Sequence, residues 1–411
     1  MSFFFSRDTK VFMKFHASAD GTDDALYEIP VLDGFSFSQA TNSTEVTLNE
    51  AADSSGNSKR GRAMFNDSFA PAEWSFSTYM RPSVSDSSDT YTIASGEGSH
   101  AGNAKKFAVE GPLWAAMSAT TYNLGVGGTG APTLASFEPN VFNFQNSNKV
   151  ALGVFDLFFV LGASKDTDGT YTSGSGGVMI YKIENCSVGS ASIDFDIEGI
   201  AQVAWSGNGK LITEQATLNT AAGQASTKGL INEGISSTTN FIRQKLTDLA
   251  IAYDASESTG DTTGIGSSDI TYSLTLTGGN ITIENNLTYL TPESLGTVNQ
   301  PLGHVMGTRS VSGNFTCYLN DVSNGSADLF ENLVESTGLI TNAFALTFGI
   351  GGSGNTPSVD VAIPKAHLEL PSHSIDDVIG IEVNFHGLSS DLSSATASNS
   401  ANEVSITYDA S

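Results

Sequence analysis

Alternation of apolar and polar residues, repeated in segment after segment, is what most restricts the fold of this chain. Phe35 and Phe37 alternate with Ser36 and Ser38, Trp74 and Phe76 with Ser75 and Ser77, and Ile193, Phe195 and Ile197 with Asp194, Asp196 and Glu198. A period of two is the signature of a strand with one buried and one wetted face. Each segment therefore needs an apolar layer on one side and water on the other. The wet face of the third is acidic.

The rest of the chain extends this β reading. Residues 10–15 and 25–32 predict a strand pair, 137–144 a short strand, and 178–188 and 193–205 two more. Residues 150–161 are apolar without alternation, as a strand buried on both faces requires. One helix is predicted at 110–119, where Leu113, Trp114 and Met117 share a side and Pro112 fits a first turn. A second is predicted at 241–253, from Phe241, Ile242, Leu246, Leu249, Ala250 and Tyr253.

Charge excludes one large class of function. Among 411 residues, 44 are acidic and 18 basic, a formal net charge of −26. Gripping nucleic acid through its phosphates needs clustered Lys and Arg, and this chain concentrates them only at Lys59, Arg60 and Arg62. Cys186 and Cys317 sit in alternating runs and read as buried, unpaired thiols. The N-terminal MSFFFSRDTKVF lacks the basic region and cleavage site of a signal peptide. No run reaches the length of a membrane span; the longest, 150–163, contains Asp156 and two glycines. A soluble assembly made in a cytoplasm is expected.

Catalytic and ligand motifs are weak. Gly125, Gly127 and Gly130, and again Gly349, Gly351 and Gly354, satisfy G-x-G-x-x-G, but proline-containing segments follow where a phosphate site needs a helix. Asp166, Asp168 and Gly169 begin like a calcium loop and lack its remaining ligands. The six histidines form no compact cluster with cysteine. The expectation is a protein that is not an enzyme, with no cofactor and no metal.

The order of segments repeats. Phe35 matches Ile281, Trp74 matches Phe315, Trp114 matches Phe330, Phe155 matches Phe344 and Ile193 matches Ile381, with a separation that only shrinks along the chain. Shorter loops in a second copy would produce that trend. The domains expected are 1–210 and 241–411, joined by a linker at 211–240 rich in Ala, Gly, Ser and Thr.

The segments VLDGFSFSQATNSTEVTLNEA, SKRGRAMFNDSFAP and AEWSFSTYMRP between residues 31 and 82, continued by IDFDIEGIAQVAWSG at 193–207, resemble the core hairpin region of bacteriophage major tail tube proteins. The resemblance, with the repeat, implies a mainly β fold of two tandem tail-tube-like antiparallel β-sandwich or barrel domains, each with a short helix. It implies stacked rings around a channel for the DNA genome, trimeric with pseudo-sixfold symmetry if both halves are tube domains and hexameric otherwise.

The channel candidates are Ser36, Ser38, Ser75, Ser77, Asp194, Asp196 and Glu198 in the first half, and Thr282, Glu284, Thr316, Glu382, Asn384 and His386 in the second. The loop with Lys59, Arg60 and Arg62 is the candidate contact between subunits or rings. Partners implied are further copies of the chain and other tail proteins, such as the tape measure, terminator, baseplate and sheath. DNA would pass without specific binding, no membrane is involved, and the protein would reside in the virion tail. The alternatives are a tail hub or baseplate ring, and a secreted β-rich adhesin or surface-layer protein.

Overall fold

The computed structural model describes residues 4–15, 25–46, 54–56, 63–85, 105–118, 140–145, 152–162, 169–220, 241–254, 269–295, 298–335, 344–375, 378–389 and 402–410. The fold is mainly β, as the alternation predicts, with antiparallel strand pairing and two α-helices among those residues.

In the first half, β1 (Thr9–Phe15) and β2 (Ala25–Ile29) precede β3 (Ser36–Ser38), the hairpin β4 (Thr41–Val46) and β5 (Ala63–Phe69), and β6 (Ala72–Tyr79). A small pair, β7 (Pro82–Ser85) and β8 (Lys105–Ala108), leads to α1 (Gly111–Ser118). Then come β9 (Val141–Gln145), β10 (Phe155–Leu161), β11 (Thr170–Thr172), β12 (Met179–Asp196), β13 (Gln202–Gly209), β14 (Ile212–Glu214) and β15 (Thr217–Asn219).

The second half starts with β16 (Asp248–Tyr253) and β17 (Ile270–Ser273), followed by β18 (Leu276–Glu284), the hairpin β19 (Leu287–Leu290) and β20 (Gly303–Met306), and β21 (Ser310–Tyr318). Helix α2 (Ser326–Glu335) leads into β22 (Phe344–Ile350), β23 (Ser358–Leu368), β24 (Ser372–Ile375), β25 (Ile379–Gly387) and β26 (Asn402–Asp409).

Strands from both halves join in one antiparallel sheet, in the order β3, β6, β13, β12, β18, β21, β25, β24. Its inner face buries Trp74, Phe76, Trp205, Ile193, Ile281 and Phe385. Three aromatic rings lie against cross-strand glycines: Trp74 against Gly207, Phe195 against Gly279 and Phe385 against Gly313. A β-carbon at Gly207 would approach the Trp74 ring to 2.4 Å, and one at Gly313 would approach Phe385 to 2.7 Å. The glycines make room for the rings.

A second layer covers that inner face. It runs β2, β1, β10, β12 in the first half and β17, β16, β22, β23 in the second. Strand β12 belongs to both layers: its start pairs with β10, its end with β13, and a register shift between Val188 and Ser190 marks the bend. Two separate strands are predicted here, at 178–188 and 193–205, but one strand of 18 residues runs through and β13 begins only at Gln202. Ile197, predicted on the dry face, falls in the turn between them and is exposed.

Strand β10 is buried on both faces, which explains its apolar residues running on without alternation, interrupted only by Asp156, whose carboxylate meets Lys182 at 2.9 Å. Phe155, Leu157 and Phe159 enter the main core, while Phe158 and Val160 join a second cluster with Phe12, Tyr171 and Leu218. Residues 241–253 do not form the predicted helix. A short 3-10 turn at Gln244–Leu246 is followed by β16, with Leu249, Ile251 and Tyr253 buried and the residues between them exposed. That segment satisfies both periods, and hydrogen-bonding neighbours on both sides, β17 and β22, select the strand. Of the segment expected as a linker, β14 pairs with β12 and β15 with β11. Residues 221–240 lie outside the described residues.

The pairing order recurs between the halves. β18 stands beside β21 as β3 stands beside β6, β25 beside β21 as β13 beside β6, and β26 beside β23 as β14 beside β12. By pairing, β25 therefore corresponds to β13, whereas the wording of the sequence matches Ile381 to Ile193 in β12.

The halves also interlock. β12 pairs with β18, and β26 lies between β23 and β9. Helix α1, predicted to bury one side, is buried along its whole length. Its Trp114 ring lies 4.5 Å from that of Trp205, its indole N–H donates to Tyr408 Oη at 2.7 Å, and the Met117 carbonyl accepts from Asn285 at 3.1 Å. Helix α2 keeps the usual amphipathic arrangement, with Leu329 and Leu333 buried and Glu331 and Val334 exposed.

Candidate functional site

The outer face of the joint sheet is polar across both halves. Ser77, Ala204, Ser192, Thr282, Ser312 and His386 stand in one row over successive strands, and Gln202, Asp194, Asn280, Asn314 and Asn384 in the next. Ser36, Ser75, Ser206, Ser190 and Glu284 form a third row, and Asp196, Gly278, Thr316 and Glu382 a fourth. Ser38 pairs with Glu73 at the edge. The other predicted face residues fall on these four rows except Glu198, which sits in the exposed turn between β12 and β13.

Short hydrogen bonds tie neighbouring rows and strands together. Ser36 and Ser75 meet at 2.8 Å, Ser192 and Thr282 at 3.3 Å, and Asn314 donates to Glu382 at 2.7 Å. Glu369 accepts from Asn384 at 2.9 Å and lies 3.1 Å from His386 Nε2. The Asn384 bond, and then the His386 contact, hold the Glu369 carboxyl below its usual range. Over the strand residues of this sheet, from 187 onward in β12, there is no Lys or Arg, while Glu73, Asp194, Asp196, Glu284 and Glu382 are acidic. Any fixed charge on the face is therefore negative.

Sequence reasoning missed the middle of the face. Ser190, Ser192, Gln202, Ser206, Asn280, Ser312 and Asn314 complete the rows, and the alternation of Gln202 and Ser206 with Val203 and Trp205 was the available signal. Over Trp74 and Gly207 the face dips into a cleft of about 330 Å³ lined by Ser36, Ser75, Ser206 and Asn208. Among the described residues, no three His, Cys, Asp or Glu side chains are grouped to hold a metal ion. Cys186 and Cys317 are buried and unpaired, and burial raises both thiols, Cys317 to about 12.

Among the described residues, the sheet is open at both edges: β3 pairs only with β6, and β24 only with β25. Its two ends carry exposed apolar side chains, Met64, Phe65, Leu290 and Leu302 at the hairpin end and Ile197, Ile200, Val378 and Ile379 at the turn end. The hairpins of the two halves are fastened together, since the Phe69 N–H donates to the Asn299 carbonyl at 2.9 Å and the Asn299 N–H to the Asp67 carbonyl at 3.1 Å. Lys59, Arg60 and Arg62 lie outside the described residues.

Behind the face, a buried polar junction joins the halves. The Tyr408 hydroxyl of β26 donates to Glu110, just before α1, and the Arg81 backbone N–H lies 3.3 Å from the same carboxylate. Burial outweighs these bonds and raises Glu110 to about 7. Arg309 donates through Nε to Asn285 at 3.0 Å and lies 3.7 Å from Glu403. A buried ion pair gains little net stability once desolvation is counted. The side chains of β26 that face the core, Val404, Ile406 and Tyr408, are fully buried along the same seam and add apolar burial to it.

No family model matches the sequence. The tail tube protein pb6 of Escherichia phage T5 is 30% identical over 399 residues, which span 95% of this chain and 74% of that relative.

Proposed function

This chain belongs to the bacteriophage tail tube proteins, and we propose that three copies close into one ring of the tube, with the polar face lining a channel for the DNA genome. It is a structural protein of the virion tail that assembles with itself and with other tail components. The observation that carries the ring reading is the joint sheet. One face is core, the other is polar and free of Lys and Arg, and among the described residues each edge lacks a partner strand. An edge strand presents unpaired backbone donors and acceptors, and closing a barrel satisfies them.

The domains we assign are 1–210 and 241–411, with β14 and β15 attached to the first. What supports them is the matching order of pairing, hairpin and helix in each half. Three chains would then supply six tube domains, giving pseudo-sixfold symmetry. A carboxylate wall suits passage rather than binding. At a separation of about 10 Å in water, two unit charges repel by about 0.4 kcal/mol. Screening over about 8 Å at physiological salt weakens this further. Thus DNA is kept from adhering without being strongly opposed.

The loop carrying Lys59, Arg60 and Arg62 is assigned to contacts with acidic groups of an adjacent copy, and neutralising all three should slow polymerisation of a folded chain. Electron microscopy of the purified protein tests the ring directly. End-on views with threefold order and six similar lobes are expected. Sixfold rings would refute the trimer and the duplication of the tube domain, and rings that never stack would favour a tail hub.

A further inference from the structure

The seam between the two halves is a template for the seam between copies. Within the chain, β12 carries β13 on one side and β18 on the other: Ala191 lies opposite Trp205 and Ile283, and Ser192 opposite Ala204 and Thr282. In the second half, Leu368 lies opposite Phe385 as Ala191 lies opposite Trp205. The wording agrees, with Val203, Trp205 and Gly207 spaced as Val383, Phe385 and Gly387. The Glu369 N–H donates to the Asn384 carbonyl at 2.9 Å, which continues this strand line past Leu368. Among the described residues, no strand lies on its other side.

The missing neighbour must resemble β18. Its counterpart is β3, the other open edge, where Phe37 lies opposite Trp74 as Ile283 lies opposite Val311. Resting on the ring reading above, we propose that β3 of one copy pairs antiparallel with residues 367–369 of the next, with Ser38 opposite His367, Phe37 opposite Leu368 and Ser36 opposite Glu369.

This register preserves polarity at every position. Phe37 and Leu368 replace the buried pair Ile283 and Ala191, while Ser36 and Glu369 replace the hydroxyl contact of Thr282 and Ser192 on the polar face. A slip of one residue would put Phe37 on the wet side and Ser36 in the core. Ring closure in this register also places a serine hydroxyl against the Glu369 carboxylate at each seam between copies.

Paired cysteines test it, because directly opposite β-carbons lie about 4.5–5.5 Å apart and diagonal ones about 7–8 Å. Both native cysteines are buried. Oxidation of rings built from S36C/E369C, and separately from S38C/H367C, should convert most of the single-chain band into a covalent three-chain species. The displaced pair S38C/E369C should yield at least tenfold less, and S192C/T282C should close within one chain. Equal linking by the displaced pair overturns the register. So does failure of both matched pairs in rings whose S192C/T282C counterpart closes, while the ring itself stands. Absence of rings from the unsubstituted chain overturns the ring reading and the register with it.

Discussion

Replacing Glu110 with Gln should remove a pH dependence of folding that the buried junction imposes. The Glu110 carboxyl is raised from 4.5 to about 7, by burial first, against the opposing bonds from Tyr408 and Arg81 and the Arg81 charge. A folded value above the unfolded one means that the folded chain holds the proton more tightly. The resulting stability is fully present below pH 4.5 and is lost as pH rises through about 7. The difference of about 2.5 units corresponds to about 3 kcal/mol, at about 1.4 kcal/mol per unit. Gln keeps the volume and an acceptor for the Tyr408 hydroxyl but does not ionise. Urea unfolding of both chains at pH 4.5, 6, 7 and 8, below the concentration for assembly, isolates the effect, since every other titrating group is common to both. The stability of the variant relative to the parent should rise by up to about 3 kcal/mol across that range. Parallel curves for the two chains would refute the reasoning, and would mean that the Arg81 charge keeps the carboxylate ionised at every pH tested.

Gly207→Ala should cost about 1–3 kcal/mol in denaturant unfolding, because its β-carbon would press on the Trp74 ring and the Ser187 carbonyl. Gly303→Ala, with nothing within 4 Å of the new atom, should change little. Tyr408→Phe removes the acceptor of Trp114 and a donor to Glu110, and should destabilise by about 1–3 kcal/mol, measured in the same way. Lys at the exposed positions Asp194, Glu284 and Glu382 should leave single-chain stability within about 0.5 kcal/mol, yet make assembled tubes retain DNA in a salt-sensitive manner. Tubes that still shed DNA at low salt would count against these residues lining the channel.

Much of the fold was legible because burial on one face leaves a direct imprint on sequence. Trp74 and Phe76 against Ser75 and Ser77 define both the strand and its two environments, and the non-alternating apolar residues of β10 around Asp156 announce a strand buried on both sides. Where one segment satisfied two periods, as around Leu249, Ile251 and Tyr253, local pattern could not choose, and flanking strands decided. Glu198 continued an acidic alternation on paper but falls in a turn, because the chain reverses after Asp196 to bring Gln202 opposite Asp194.

Strict alternation marked the wet and dry sides of most strands, though not Ile197 or the enclosed α1, and composition and segment order carried the acidity of the chain and the repetition of one order of segments. These follow from side-chain chemistry at a fixed period. Tertiary pairing alone established that the wet faces of the two halves form one surface, because that depends on β12 meeting β18 across a long separation in sequence. It likewise decided that β26 inserts between β9 and β23, and that α1 is enclosed by Trp205, Asn285 and Tyr408. Hydrogen-bonded pairing between distant strands leaves no periodic signal in either one. The joint sheet, on which the ring reading rests, therefore becomes visible only once the chain is folded.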